Sequence, residues 1–446
     1  MYKVYFGTLK RADTLVENCY TWDEKYLMYD TASSDTNNVI IEPILHREAN
    51  SAGYFEATVP KSNECWQYLK LITGYIEIER DGEFIWQGRI IEIETDFDMS
   101  KHIYCEGELA YLNDFYVDID WTLIKTKNSD GKIVYDWFKF FTEYCQFISS
   151  WGGKTIVPDT SFITDDIKKY ISDTLLDTQP VLNDDSRYMT VYDALTNNFL
   201  NGMMAPFKNK IFLSIEHKVE TVAGVNNTVI EVTFRLLKFS ILYTPEESTE
   251  EILLCGNLPI TRQTIEFGKN LSDFTILQKT ENMINCVVAY GYETTGWWIF
   301  SSTKQIYAIA NDLDDQLLHD VATYYFSVDG TKSTKESLAI QAQKKLDEFK
   351  DRYPVEYEIK AVDLVDAGED IDRLDYLKRT RIMSSPHGID TIMLCTSLTE
   401  PLDDPSAKEF VFGVKKSSLS KMQATTDTVV SRSYSMSYTT KDYITR

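Results

Sequence analysis

The sequence predicts an α+β chain that is rich in strands and divided into several domains. Its 446 residues exceed what one ordinary hydrophobic core fills, so roughly two to four domains are expected. Short runs of strict apolar and polar alternation recur toward both ends of the chain, and only a few segments show the three-four spacing of an amphipathic helix.

The first segment, residues 1–113, reads as β. In "GYFEATVP" the residues Phe55, Ala57 and Val59 share one face, Tyr54, Glu56 and Thr58 the other, and Pro60 closes the run. The stretch 62–72, "SNECWQYLKLI", has helical spacing with Ser62 as N-cap. In the next strand Ile76 and Ile78 alternate with outward-facing Glu77 and Glu79. Asp81-Gly82 is a two-residue hairpin signal, because both positions tolerate positive φ. On the return strand Phe84 and Trp86 share a face. After Gly88 the apolar parity changes to Ile91 and Ile93, with Glu92 and Glu94 outside, which predicts a β-bulge at Gly88-Arg89 and a strand bent as in a barrel.

Residues 114–266 read as a mixed α+β domain. Helices are expected over 135–148 and 190–204, and strands return from 210, including "KIFLSIEHKVETV" and "TVIEVTFRLL". A further unit begins at 267. Its clearest helix is 333–354, with Ser333 and Glu336 as a capping box, Leu338, Ala342, Leu346 and Phe349 on one face, and Pro354 after its end. The last strands lie in "VEYEIKAVDL", "RIMSSPHGIDTIMLCTSLTEPL" and "KEFVFGV", and 421–446 is a polar arm rich in Ser, Thr and Tyr.

Composition narrows the function classes. With 45 basic against 69 acidic residues the net charge is −24, which argues against tight binding of duplex nucleic acid, where cations must neutralise phosphates. The seven cysteines are an odd number without a C-x-x-C pair, as expected of reduced core thiols made in a cytosol. The five histidines form no H-x-x-x-H or H-x-H pair, so no metal site has a local signature, and no cofactor motif is present. The start "MYKVYFGTLK" alternates like a strand and is not expected to act as a secretory leader, and no apolar run approaches the ~20 residues that span a bilayer.

Candidate chemistry is sparse. In "YCEGELAYLND" (104–114) Cys105 has acidic neighbours, which raise a thiol pKa. Alternation puts Tyr104, Glu106 and Glu108 on one face and Cys105 with Gly107 on the other, as for a small buried strand residue. His387, in the turn Pro386-His387-Gly388, has no nucleophile motif beside it. The acidic runs "DDIKKY", "NDLDDQ" and "DAGEDIDRLD" miss the calcium-loop pattern and read as solvated surface. Trp297-Trp298 reads as packing or a subunit interface, with sugar stacking as the other option. Asn226-Asn227-Thr228 is a chance sequon.

Five landmarks occur in order: "HREANSAGYFEATVP", "DGEFIWQGRI", "YCEGELAYLND", "FGKNLSDF" and "SSPHGID". In this set the chain resembles the tail hub family of long-tailed bacteriophages, also called prophage tail endopeptidase or tail-associated lysin, within the wider baseplate hub group. The resemblance implies a multidomain baseplate-hub-like fold in which two barrel-like domains per subunit form a trimeric, pseudo-sixfold ring at the tail tip. The first barrel would be 1–113 and the second 267–300 plus 355–420. Residues 114–266 would decorate the ring, 301–354 would be a helix-containing insertion, and 421–446 the arm. Gly53, Asp81, Gly82, Gly88, Gly107, Pro386, His387 and Gly388 are the implied structural landmarks. Implied partners are two further copies of the chain, the distal tail protein ring, and also the tape measure protein and receptor-binding or fibre proteins. DNA would pass without tight binding, with Glu77, Glu79, Glu92 and Glu94 as candidate acidic lumen or surface residues. The site of action would be the virion, after assembly in the host bacterial cytoplasm. The paired histidines of a metallopeptidase and a Cys-His peptidase signature are both missing, so no enzymatic activity, catalytic residue or cofactor is expected. A cell-wall lysin and a receptor-binding adhesin are the other readings.

Overall fold

A computed structural model of the chain describes residues 1–12, 19–33, 37–118, 124–127, 133–142, 156–160, 163, 165, 168, 171–172, 188–204, 211–224, 229–241, 258–278, 286–295, 302–311, 323–327, 334–350 and 355–413. Strands dominate and helices are few, as the alternating runs predict. The chain divides into two compact units, one built from Met1–Phe274 with Ile359–Phe412 and the other on Thr275–Glu358.

The first unit opens with seven strands: β1 (Tyr2–Arg11), β2 (Tyr20–Asp30), β3 (Ile41–Glu48), β4 (Tyr54–Val59), β5 (Tyr75–Arg80), β6 (Glu83–Thr95) and β7 (Lys101–Gly107). Their spatial order is β2-β1-β5-β6-β7-β4-β3, and each pair is antiparallel. One face is apolar throughout. Phe55, Ala57 and Val59 meet Val4, Phe6, Ile76, Ile78, Ile90 and Ile103 in a single core.

Two local expectations for this sheet are corrected. Residues 61–73 form successive turns and no helix. Asn63 accounts for this, because its side-chain nitrogen donates to the carbonyls of Met28 and Val39, 2.9 Å each, and its oxygen accepts from the Cys65 amide. The segment is thereby pinned to its neighbours residue by residue, and Cys65 and Leu69 reach the core from turns. The parity change in β6 is real but does not sit at Gly88-Arg89. The register slips once around Ile85, between Ile78 and Glu79 of β5, and once around Ile91, opposite β7. The slip at Ile85 parts Phe84 from Trp86. Trp86 packs in the core against Phe55, while Phe84 stacks on His217 at 3.9 Å.

After β7 a 3₁₀ turn covers Glu108–Asp114, so Glu108 lies outside the strand and does not alternate with Tyr104 and Glu106. Leu109, Tyr111 and Leu112 from this turn enter a second core with Trp137, Phe140, Phe141, Phe199 and Leu213. The surrounding elements are β8 (Tyr116–Asp118), β9 (Lys125–Lys127), β10 (Ile133–Tyr135), α1 (137–142), β11 (Ile156–Pro158), β12 (Tyr188–Thr190) and α2 (Val191–Asp193), which runs into a π-helical stretch, Ala194–Met203. Asp136 caps α1 by accepting from the Lys139 amide, and Thr190 caps α2 through Asp193. The expected helix over 135–148 is thus described only to residue 142. Strands β13 (Ile211–Ala223) and β14 (Val229–Ile241) form a long hairpin ribbon that meets the first sheet through the pair Thr233↔Tyr20. Next come β15 (Ile260–Glu266) and β16 (Leu271–Gln278).

The second unit holds β17 (Cys286–Thr295), β18 (Ser302–Asn311), β19 (Thr323–Ser327) and α3 (Lys335–Lys350). The sheet order is β18-β17-β19. Leu338, Ala342 and Leu346 cover Val287, Ala289, Ile306 and Ala310, as the helical spacing predicts. The cap lies one residue later than expected: Thr334 and Ser337 exchange side-chain to amide bonds, while Ser333 and Pro354 lie outside the described residues. β17 and β18 pair along their whole length, so the boundary expected at residue 300 falls inside a hairpin.

The chain returns to the first unit through β20 (Val355–Ala361), then β21 (Arg379–Ser384), β22 (Ile389–Pro401) and β23 (Glu409–Gly413). β15, expected with the preceding domain, pairs in parallel with β21. The outer edge of β3 does not return to β2. It pairs with β22, from Ser397↔Glu48 to Pro401↔Ile44, so β1–β7 run on into the last strands as part of one open sheet where separate closed barrels were expected, while β8 with β12, β9 with β10, and β17–β19 form smaller sheets of their own.

Candidate functional site

The sequence landmarks fall at turns and close approaches of backbone. Asp81 and Gly82 have φ of 54° and 82° and join Arg80 to its partner Glu83, which is the expected two-residue turn. Gly53, Gly88 and Gly107 converge. Gly88 lies opposite Gly107 across β6 and β7, and the Gly107 amide donates to the Gly53 carbonyl at 3.2 Å. A Cβ on Gly107 would stand 1.9 Å from the Ala52 carbonyl oxygen, so only glycine lets the β3–β4 turn lie against the end of β7.

Pro386 and His387 belong to a 3₁₀ turn, Ser385–His387, ended by Gly388 at φ 65°. His387 Nδ1 lies 2.6 Å from Ser384 Oγ, and the rings of Phe274 and Phe267 stand 5.1 and 6.0 Å away. Ser384 is fully buried in β21. Cys105 is fully buried as well, and burial pushes its thiol pKa up, away from nucleophilic character.

The four candidate glutamates separate into two kinds. Glu77 is buried and bound to Lys25 at 2.6 Å, and Gln87 donates to its other oxygen at 3.1 Å. Lys25 also reaches Glu79 at 3.6 Å. Glu77 therefore cannot present a free charge to a channel, a correction to its outward assignment. Glu92 and Glu94 are exposed.

The structure brings together charged residues that sequence spacing did not flag. Glu400, on β22, is fully buried. One of its oxygens accepts from Tyr2 Oη and Arg80 Nη1, 3.0 Å each, and the other from Arg47 Nη2 at 2.5 Å. Asp375 accepts from the same Arg47 nitrogen at 2.7 Å and from Arg80. Lys408, also fully buried, lies 3.9 Å from Glu400 and 2.7 Å from Asp366. Asp366 takes Arg373 at 2.5 Å, and Arg373 reaches Asp81 at 2.7 Å. Burial works to raise the Asp375 carboxyl, but Arg47 and Arg80 overcome it and hold the group far below the usual carboxylate range. Asp366 is depressed too, its desolvation outweighed by bonds from Arg373 and Lys408. The run 366–375, expected as solvated surface, thus supplies Asp366, Arg373 and Asp375 to an interior lattice. The lattice joins β1, β3 and β5 to β22 and to Lys408, the residue before β23.

A second cluster ties the ribbon to the first sheet. Glu108 is buried, binds Arg235, and lies 2.6 Å from His217 Nε2. Arg235 Nη2 and Tyr20 Oη both donate to Gln87 Oε1, at 2.6 and 3.2 Å. Desolvation would raise the Glu108 carboxyl, yet His217 and Arg235 lower it. Nearby, Arg89 forks onto Asp114 at 2.5 and 2.8 Å and reaches Glu106. Between these clusters lies a cavity of about 100 Å³, whose wall includes Arg47, Trp86, Glu108, Leu109 and Leu213.

Among the described residues, no group of three or more His, Cys, Asp or Glu is placed to hold a metal ion, and no helix is long and apolar enough to cross a membrane. Trp297, Trp298, the sequon at 226–228 and the arm 421–446 lie outside the described residues.

No protein-family model matches the chain, and no curated protein matches it significantly. Among solved structures it is similar to the prophage MuSo2 43 kDa tail protein from Shewanella oneidensis, with 10% identity and a TM-score of 0.45, covering 93% of this chain and 98% of that one. It is similar to a tail protein from Neisseria meningitidis, with 12% identity, a TM-score of 0.46, and coverage of 93% and 97%. It is also similar to the prophage tail protein gp18 from Listeria monocytogenes, with 12% identity, a TM-score of 0.42, and coverage of 96% and 99%. These solved structures, matched over nearly the whole chain, are of tail proteins, two of them from prophages.

Proposed function

We propose that the chain is a structural protein of a bacteriophage tail and serves as its tip hub. Three copies would form a ring that continues the tail tube, seats on the distal tail protein ring, and lets DNA pass. The observation that carries this reading is where the resemblance landmarks fall. Gly53, Gly88 and Gly107 meet at one backbone joint, and Asp81 reaches the ion-pair lattice through Arg373. Arg47 and Arg80, next to or within those landmarks, bind the late residues Asp375 and Glu400. Keeping shape at joints and locking the first strands to the last ones suits a ring subunit that must hold its form, and it calls for no catalytic group. The protein would therefore act without chemistry of its own.

The net charge of −24 fits a channel that phosphates must not grip, with Glu92 and Glu94 as the remaining candidates to face it. Imaging of the protein alone and within assembled tails is the test. The expected result is a threefold ring with a central opening at the tip, unable to retain duplex DNA at moderate salt. A monomer in both states would overturn the reading.

A further inference from the structure

We infer that the end of the β6–β7 hairpin, together with the turn segment 61–73 beside it, is a contact surface for a second copy of this chain, used alike by both copies. The hairpin turn holds Phe97 fully exposed between Asp96 and Asp98. Its backbone is fixed. The Asp96 amide donates to the Ser100 carbonyl at 2.9 Å, and Asp98 accepts from the Ser100 amide and hydroxyl at 2.9 and 2.6 Å. The Trp66 indole donates to the Met99 carbonyl at 2.8 Å. A large apolar side chain held in water by an ordered turn loses little freedom on docking. From this turn an apolar strip runs back along β6 for roughly 20 Å. It holds Met99, Tyr68, Leu71 and Ile72, all exposed, and the half-buried Trp66. The Ile72 amide anchors its far end on the Ile90 carbonyl at 2.7 Å.

Charge selects the partner. The strip carries Lys61, Lys70 and Lys101 against Glu64, and the hairpin turn carries Asp96 and Asp98. Among the described residues none of these side chains is in an ion pair. Lys101 bonds the Trp66 carbonyl at 2.8 Å and lies over its ring instead. Laid antiparallel on its own copy, the strip brings Phe97 of each chain onto Leu71 and Ile72 of the other. Asp96 and Asp98 then stand beside Lys70, and Trp66 lies near the twofold axis. A surface that carries its own complement in this way makes a closed, isologous pair. Elsewhere the net charge of −24 sets two copies against each other. A threefold ring needs a heterologous contact between different surfaces, so the inference does not rest on the tail-hub reading.

The experiment is sedimentation velocity of the full chain at concentrations up to the high micromolar. A reversible doubling of the smallest species is expected: chains to dimers, or rings to pairs of rings where threefold rings form. Phe97→Asp, at a position too exposed for folding to depend on it, should weaken the doubling about tenfold or more, as for the loss of an aromatic anchor. Lys70→Glu and Asp96→Lys should each weaken it as well. An equimolar mixture of these two variants should associate like the wild type, because the exchanged charges then face each other. Lys360→Glu, an equal change of charge on β20, should leave association unchanged. No doubling, full association of Phe97→Asp, a mixture no tighter than either variant alone, or an equal loss with Lys360→Glu would each overturn the inference.

Discussion

Arg47 Nη2 and Glu400 Oε2 are 353 residues apart in the chain and 2.5 Å apart in the fold. They stand on neighbouring strands, with Leu398 opposite Arg47 in the β3–β22 ladder. The pair is a measure of how much the first sheet relies on the last strands. Glu400→Gln keeps the shape and removes the charge that Arg47 and Arg80 share. Losing one partner of a buried pair costs about 3–5 kcal/mol, since the remaining charge stays out of water. The urea midpoint should fall accordingly. Lys360→Ala, which removes a solvent-exposed ion pair with Glu409, should leave it unchanged. Equal effects of the two substitutions would contradict an interior role for the lattice.

Gly82→Val should destabilise the chain by roughly 1 kcal/mol or more, because a β-branched residue is forced to φ 82°. No atom lies within 4 Å of a Cβ built there, so the cost is conformational and not steric. Gly82→Asn should cost much less, since asparagine enters the left-handed region readily. Thermal midpoints of the two variants should therefore separate, and coincident midpoints would refute the turn geometry.

Gly107→Ala is the converse case. Its φ of −73° suits any residue, so the backbone conformation asks for nothing special. The added methyl would instead meet the Ala52 carbonyl and force the β3–β4 turn away from β7. A loss of about 1–3 kcal/mol or more is expected from overpacking of this kind. Hydrogen exchange at the Gly107 amide should quicken as its bond to Gly53 opens. An unchanged exchange rate with full stability would show that the turn yields freely.

The alternating runs and the hairpin were legible because their signals are local. Phe55, Ala57 and Val59 need only each other's spacing to declare a face, and Asp81-Gly82 declares its own turn. The helix expected at 62–72 failed for a reason that no spacing contains: the Asn63 side chain is bound by carbonyls at Met28 and Val39. The displaced bulge is similar. Gly88 reads as a place where the strand slips, yet it is small because the Trp86 indole lies over it, while the slips themselves fall at isoleucines. The charged clusters were invisible for a stronger reason. Arg47, Asp375 and Glu400 look like ordinary polar positions, and only the pairing of β3 with β22 makes them one interior group.

The depressed carboxylates set the acid limb of stability. Asp375, Asp366 and Glu108 all hold their protons less tightly in the fold than in the unfolded chain, where such groups titrate near pH ~4. As pH falls through that value the unfolded chain takes up protons first, so the equilibrium shifts toward it. The contribution of these groups is fully present above about pH 5 and is lost progressively below it, down to their folded values. Urea midpoints should therefore drop from about pH 5 downward. Arg80→Met removes a cation that lowers the Asp375 carboxyl, so its decline over the same range should be shallower from an already lower starting point. Salt offers a further discrimination. Pairs at the surface are screened within about 8 Å at physiological ionic strength, but Arg47, Arg80 and Asp375 have side chains only 11%, 7% and 12% exposed. The acid slope should persist in high salt. A wild-type midpoint that stays constant from pH 6 to pH 3, or a slope abolished by salt, would place these charges in solvent and dismantle the interior lattice.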